Sequence, residues 1–347
     1  MVSAEVDVPP RTAPHDATGS SGETRPSVSV IVPAFNEAIV IEHTLNELHE
    51  YMQGLSERFA WEIVVVDDGS TDETGELADT FAASHVDVRV LRHRVNFSLG
   101  QALRTAFNSC TTDYLVVIDC DLTYGPDHIG RLLDAIVTTH ARIVIASPYM
   151  PEGRSTGVPW LRNLASRTAN RILSLTASGR LHTLTGMVRA YDRRFVSTLN
   201  LKAMGAEVNT EIIYKAQLLR ANIIEIPAHL DWTAMHGLPR RSTMRLANST
   251  IRSLLSAFIF RPFMFFIIPG LAMAVFGVVA LTLTFGEGGA TSPVREWHLA
   301  GEVALIVSAI MLFLGILTLQ AKRYFEELFH LGTSILREVR EHSPPED

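Results

Sequence analysis

Residues 114–127 read "YLVVIDCDLTYGPD", in which five apolar residues run straight into Asp119 and Asp121 with one residue between them. Two carboxylates at the end of a buried strand repel one another, and each is costly to remove from water unless a partner or a cation compensates. The surrounding chain shows what that compensation is. "SVSVIVPAF" from Ser27 and "WEIVVVDDG" from Trp61 have the β-branched, continuous apolar character of strands covered on both faces, and "EAIVIEHTLNELHEYM" between them has helical spacing. "VRVLRH" from Val88 and "ARIVIASP" from Ala141 add two more strands, with the helix-like "LGQALRTAFNSC" between "VRVLRH" and "YLVVI". Strands alternating with helices predict an α/β fold with a mostly parallel sheet covered by helices.

In such a sheet, ligands bind outside the carboxyl ends of the strands. Polar residues follow four of them: Asn36 and Glu37, Asp67 and Asp68, Asn96, then Asp119 and Asp121. Acids converging on one crevice point to a hard divalent cation, Mg2+ or Mn2+. Magnesium typically takes one or two protein carboxylates and fills its other positions with water and phosphate oxygens, so a nucleoside diphosphate fits.

Of the 347 residues, 47% are apolar and 19% charged, an apolar excess for a soluble enzyme. It is concentrated near the C-terminus. Residues 263–285 carry no charge, and at helical rise they span about 35 Å, enough to cross a hydrocarbon layer of about 30 Å with some tilt. A second charge-free run begins at Val303 and reaches Ala321. Both read as membrane spans. The implied organisation is a disordered Pro/Ser/Thr/Gly-rich tail (1–26) without the apolar core of a signal peptide, a catalytic domain (27–235) and an amphipathic juxtamembrane segment (236–262). Spans at 263–285 and 299–321 follow, joined by an extracytoplasmic loop (286–298), and a tail (322–347) ends the chain. Arg240, Arg241, Arg245, Arg252 and Arg261 precede the first span and Lys322 and Arg323 follow the second, against Arg295 alone in the loop, so the positive-inside rule puts both termini and the catalytic domain in the cytoplasm. Two cysteines, Cys110 and Cys120, agree with a reducing compartment, and a net charge of −7 argues against a nucleic-acid partner.

"VSVIVPAFNE", "IVVVDDGSTDET" and "VVIDCDL", in that order, resemble the family-2 glycosyltransferases of the nucleotide-sugar-binding (GT-A type) fold over about residues 27–230. "HTLTGMVRAY" from His182 and the two C-terminal spans make the chain similar to the polyprenyl-phosphate branch, the enzymes like dolichyl-phosphate mannose synthase. The resemblance implies that Pro33, Phe35, Asn36 and Glu37 lie beside a nucleotide sugar, a UDP- or GDP-hexose, and that Asp67 and Asp68 supply the carboxylate that accepts the imide hydrogen of the base. It implies that Asp119 and Asp121 form the DxD motif, with Asp121 on the metal that bridges the diphosphate, and that Arg189 stands near the phosphates. Plainer readings stay open: "DDGSTDET" as a turn and helix start, Asn36 and Glu37 as helix caps, Arg189 as a surface arginine and His182 as structural.

The sequence also departs from the family pattern. Thr123 stands where many relatives have glutamine, "SLGQA" from Ser98 replaces a Gly-Lys-Gly segment and leaves Asn96 and Arg104 as phosphate-side candidates, and no acid precedes the Arg189 segment. A hydroxyl acceptor would need a base within hydrogen-bond reach, whereas a lipid phosphate is already anionic and needs only cationic positioning. Arg162, Arg167 and Arg171, set among Trp160, Leu161, Leu164 and Ile172, suit a helix in the headgroup layer that would meet such a phosphate; an ordinary packed amphipathic helix would read the same way. The expectation is an inverting transfer of a hexose to a polyprenyl phosphate. The alternatives are a polysaccharide synthase, for which two spans are few, and a membrane-tethered scaffold or sugar-nucleotide sensor. Two short spans also leave apolar faces through which copies of the chain could pair.

Overall fold

The computed structural model describes residues 25–158, 181–233, 262–284 and 292–342, and the chain divides into two compact units, Met1–Ser253 and Leu254–Asp347. Arg162, Arg167, Arg171 and the arginines at 240–261 lie outside the described residues, as does the expected N-terminal tail up to residue 24.

The first unit is built on a seven-stranded sheet in the order β3-β2-β1-β4-β7-β5-β8. Its strands are β1 (Ser27–Ala34), β2 (Ala60–Asp67), β3 (Val88–Arg92), β4 (Tyr114–Val117), β5 (Ile143–Ser147), β7 (Arg189–Asp192) and β8 (Ile223–Pro227). The short strands β6 (Arg154–Thr156) and β9 (His229–Asp231) pair separately. The described helices of this unit are α1 (Ile41–Gly54), α2 (Thr74–Ser84), α3 (Leu99–Ser109), α4 (Asp127–Thr139), α5 (Arg193–Val196) and α6 (Val208–Leu218). Strand residues such as Val30, Ile31, Val32, Val64, Val65, Val116 and Ile145 have no exposed surface. Each such side chain contributes about 1.5–3 kcal/mol of burial. α1 shows how a helix seats itself on this sheet: Ile41, Leu45, Leu48 and Met52 recur at three- and four-residue steps and are all buried in the same core cluster.

β1, β2, β3 and β4 are mutually parallel, in a register that sets Ala34 beside Asp67, Asp67 beside Arg92 and Ile31 beside Val117. Their C-terminal ends therefore lie along one edge. β7 runs antiparallel between β4 and β5, with Arg189 paired to both Val117 and Ile145, so the chain re-enters the sheet from that same edge.

The second unit contains α7 (Pro262–Thr284) and α8 (Ser292–His342). Both are long and apolar enough to cross a membrane. α7 covers the described part of the stretch expected as the first span. α8 starts inside the expected loop and runs through most of the expected tail, because Pro293 suits a first helical turn and the stretch after Ala321 is rich in good helix formers. The pair is held by small residues: a Cβ added to Gly277 would meet the Gly301 carbonyl at 2.9 Å, and the buried Ser308 hydroxyl donates to the Gly270 carbonyl at 2.7 Å. Between apolar helices such close backbone approach and cross-helix hydrogen bonds supply the attraction. Val275, Leu283, Ile306 and Phe313 are at least half exposed on this unit, as lipid-facing residues would be.

Candidate active site

The edge at which the parallel strands end opens into a cleft of about 390 Å3, within the size range of small-molecule sites. Pro33 lines it near the end of β1, Phe35 and Glu37 just after β1, Asp68 after β2, Asn96 after β3, and Asp119 and Asp121 after β4, with Ser98 and Leu99 at the start of α3 and Met187 ahead of β7. Seven of the expected site residues thus meet in one crevice.

Two interlocked loops form the β1 and β2 side. Asn36, in the left-handed region at φ 56°, accepts from the Thr71 backbone N–H at 2.8 Å, while its own N–H donates to the Ser70 hydroxyl at 2.9 Å. The Glu37 N–H donates to the Thr74 hydroxyl at 2.7 Å. The Ser and Thr residues of "DDGSTDET" therefore latch the loop after β1, and Asn36 neither lines the cleft nor caps α1. Asp72 does the local work of a helix start by accepting from the Thr74 N–H at 3.1 Å. Gly69 sits at φ +70°, and a Cβ there would lie 2.3 Å from the Val95 carbonyl carbon, so only glycine lets the loops after β2 and β3 touch.

The paired aspartates of that motif diverge. Asp67 accepts from the Ser70 N–H at 3.0 Å and faces Arg92 at 3.8 Å, away from the cleft lining. Asp68 is buried yet lines the cleft, and its Oδ1 accepts from the Phe97 N–H at 3.0 Å and from His93 Nδ1 at 2.7 Å.

After β4 the chain makes a tight turn in which the Leu122 N–H donates to the Asp119 carbonyl at 3.2 Å, with Leu122 at φ 46°. Thr44 on α1 donates to the Cys120 carbonyl at 2.5 Å, and the Thr123 N–H donates to Asp121 Oδ1 at 3.1 Å. Thr123 thus supports the turn with its backbone. Burial pushes the Asp119 carboxyl up to about 7, reinforced by the negative charges of Asp121 and Glu37. Among the described residues, no Lys, Arg or His lies within 4.0 Å of Asp119 or Asp121.

Besides Asn36 and Asp67, two more of the expected site residues, Arg189 and Arg104, do not line the cleft. Arg189 is fully buried: it donates to the Asn209 and Leu184 carbonyls, both at 2.7 Å, and burial lowers its pKa from the usual guanidinium value. It is neither a surface arginine nor part of the cleft lining, because β7 carries it into the middle of the sheet. Arg104 likewise turns from the cleft and donates to the Ala203 carbonyl at 2.6 Å and to Gln101 Oε1 at 2.7 Å, tying α3 to the 203–204 segment. His182 is tied to the largely buried Glu225 carboxylate through Nδ1 at 2.9 Å and its backbone N–H at 2.7 Å, which fits a structural role. Thr44 and His93 carried no signal of their own in the sequence; in the structure each braces a cleft-lining segment.

The family model of glycosyl transferase family 2 matches residues 29–199. The chain is 31% identical over 205 residues to the polyprenol monophosphomannose synthase of Mycolicibacterium smegmatis, which covers 57% of this chain and 75% of that protein. It is 28% identical over 299 residues to an undecaprenyl-phosphate 4-deoxy-4-formamido-L-arabinose transferase from an Enterobacter species, covering 83% and 84% of the two. With the glycosyltransferase AglD of Haloferax volcanii it shares 26% identity over 93% of its own length, and it spans only 51% of that protein. Crystal structures of glucosyl-3-phosphoglycerate synthase from Mycobacterium tuberculosis share the fold, with a TM-score of 0.53 at 20% identity over 68% of this chain and 80% of that one. One with Mg2+ and uridine diphosphate gives 0.51 at 22% identity over 67% and 79%. The chain belongs to glycosyltransferase family 2, and it is a glycosyltransferase.

Proposed function

We propose that the protein moves a hexose from a nucleoside diphosphate sugar to a polyprenyl phosphate at a membrane, with inversion at the anomeric carbon. The observation that carries this reading is the cleft itself, where Asp68, Asp119 and Asp121 converge at one edge of the sheet. Relatives named for polyprenyl-phosphate acceptors and two helices able to cross a bilayer support the choice of acceptor. The arginine distribution around those helices supports a cytoplasmic catalytic unit.

The donor set suits a hard divalent cation. Among the described residues no three His, Cys, Asp or Glu side chains form a metal cage, but Asp119 and Asp121 provide the one or two carboxylates that magnesium or manganese takes when a diphosphate completes the shell. Burial raises the Asp119 pKa first and the like charges of Asp121 and Glu37 add to it, and a cation bound there would neutralise that charge. Bound there, the metal would neutralise charge on the departing diphosphate. Asp68 takes the nucleoside end, and the Pro33–Glu37 loop closes one wall. A lipid phosphate needs no general base, so the remaining work is orientation for in-line attack, in which Arg162, Arg167 and Arg171 are candidates to hold the acceptor phosphate.

Membranes bearing the protein, offered labelled nucleotide sugars with a polyprenyl phosphate and MgCl2, should convert label into a solvent-extractable lipid. If no donor yields lipid-linked sugar while label enters an insoluble polymer, the acceptor reading is wrong.

A further inference from the structure

We propose that His93 is a positioning residue that holds Asp68 for the nucleoside half of the donor. The proposal rests on the reading of the cleft as a nucleotide-sugar site, and it assigns a role to a side chain that does not line that cleft.

The His93 side chain is 1% exposed and joins three elements. It follows β3, its backbone N–H donates to the Asp67 carbonyl at 2.9 Å, and its ring packs edge-on against Phe97 at 5.4 Å between centroids. A carboxylate only accepts, so Nδ1 carries the proton donated to Asp68 Oδ1 at 2.7 Å. On the other side of the ring, Nε2 meets the Thr105 hydroxyl of α3 at 2.8 Å. With both nitrogens engaged and the ring clamped, the imidazole cannot flip.

Asp68 Oδ1 thereby receives two internal donors, His93 and the Phe97 N–H, and the carboxylate plane is locked. Its other oxygen has no donor among the described residues, while Asp68 itself lines the cleft. A buried carboxylate presenting one free acceptor in a fixed direction suits an N–H on the edge of a base. Without His93, Asp68 could rotate or turn inward, and binding would have to meet the cost of ordering it again. The purpose of the His93 bond is therefore separable from packing: its loss should weaken recognition of the nucleoside and spare recognition of the diphosphate.

The full chain in detergent micelles with MgCl2 can be titrated calorimetrically with UDP, GDP and inorganic pyrophosphate. His93→Leu should weaken the nucleotide that the wild type binds by about tenfold, the size of one hydrogen bond to a charged group, and leave pyrophosphate affinity unchanged. His93→Asn, whose amide N–H can replace Nδ1–H, should recover most of that loss. Equal weakening of nucleotide and pyrophosphate, or no benefit of Asn over Leu, would overturn the positioning role. If His93→Leu does not fold, Thr105→Val tests the same clamp: nucleotide affinity should fall about threefold with pyrophosphate unchanged, and unaltered nucleotide affinity overturns the proposal. Asp68→Asn separates the two levels. If it leaves nucleotide affinity intact, the nucleoside role of Asp68 itself fails; if it weakens binding while His93→Leu does not, only the inference about His93 falls.

Discussion

The two ends of the central sheet treat their acids in opposite ways. At the end where the parallel strands begin, Glu62 and Asp113 both have partners within the protein. Glu62 on β2 accepts from Arg89 on β3 at 2.8 Å and from the Ser29 hydroxyl on β1 at 2.6 Å, and Arg89 also donates to the Ser109 hydroxyl at 2.7 Å. Asp113 accepts from the Ser27 backbone N–H at 2.9 Å and the Ser27 hydroxyl at 2.7 Å, and those bonds hold its pKa below the usual carboxylate value. At the other end Asp119 and Asp121 share a cleft with Glu37, and Asp119 is pushed upward instead. Glu62 and Asp113, satisfied within the protein, fasten strands together, whereas Asp119 and Asp121 line the cleft, where a divalent cation would be held.

The largest effect that would sharpen this contrast is expected at Asp121. Asp121→Asn should reduce transfer by about a thousandfold, the several kcal/mol of charge stabilisation that a metal ligand supports, with thermal stability little changed. Turnover near the wild-type level would remove the metal role. At the opposite end, Arg89→Ala should act the other way round. It strands Glu62 without its ion-pair partner and should cost about 1–2 kcal/mol in denaturant unfolding while donor KM stays the same. A changed KM would mean that the two ends are coupled.

The smallest effect concerns pH. Asp119 has a folded-state pKa raised from 3.8 to about 7, so the folded state holds its proton more tightly than the unfolded state does. In EDTA, stability should therefore decline as pH rises from 3.8 to about 7, and MgCl2 should raise Tm more at pH 8 than at pH 5. Asp113 has the opposite sign: its lowered pKa contributes stability above the ordinary value of 3.8 that is lost as pH falls through the folded-state value. Asp119→Asn should abolish the first trend and leave the second. An equal magnesium effect at both pH values would break the assignment.

Much of this was legible in the sequence because β-branched runs and the acids behind them follow simple periodic rules. β1 to β5, the helices between them and the convergence of Asp68, Asp119 and Asp121 follow from residue type and order. β7 was not legible: four residues, one of them arginine, carry no apolar alternation, and its antiparallel place between β4 and β5 is decided by tertiary pairing. That insertion explains why Arg189 reads like a phosphate ligand and is instead held by the backbone carbonyls of Leu184 and Asn209. Asn36, after β1, and Asp67, at the end of β2, spend their side chains on loop geometry, and His93 is found only when its contacts are traced.

β5 ends at Ser147 and β7 begins at Arg189 along the same edge of the sheet, and the residues just before β7 are tied back to it: Thr183 to Ser147 at 2.7 Å and to Glu225 at 2.7 Å, and the Leu184 carbonyl to Arg189 at 2.7 Å. A substitution just ahead of β7 is therefore felt in two places at once, the sheet interior through Leu184 and the cleft wall through Met187.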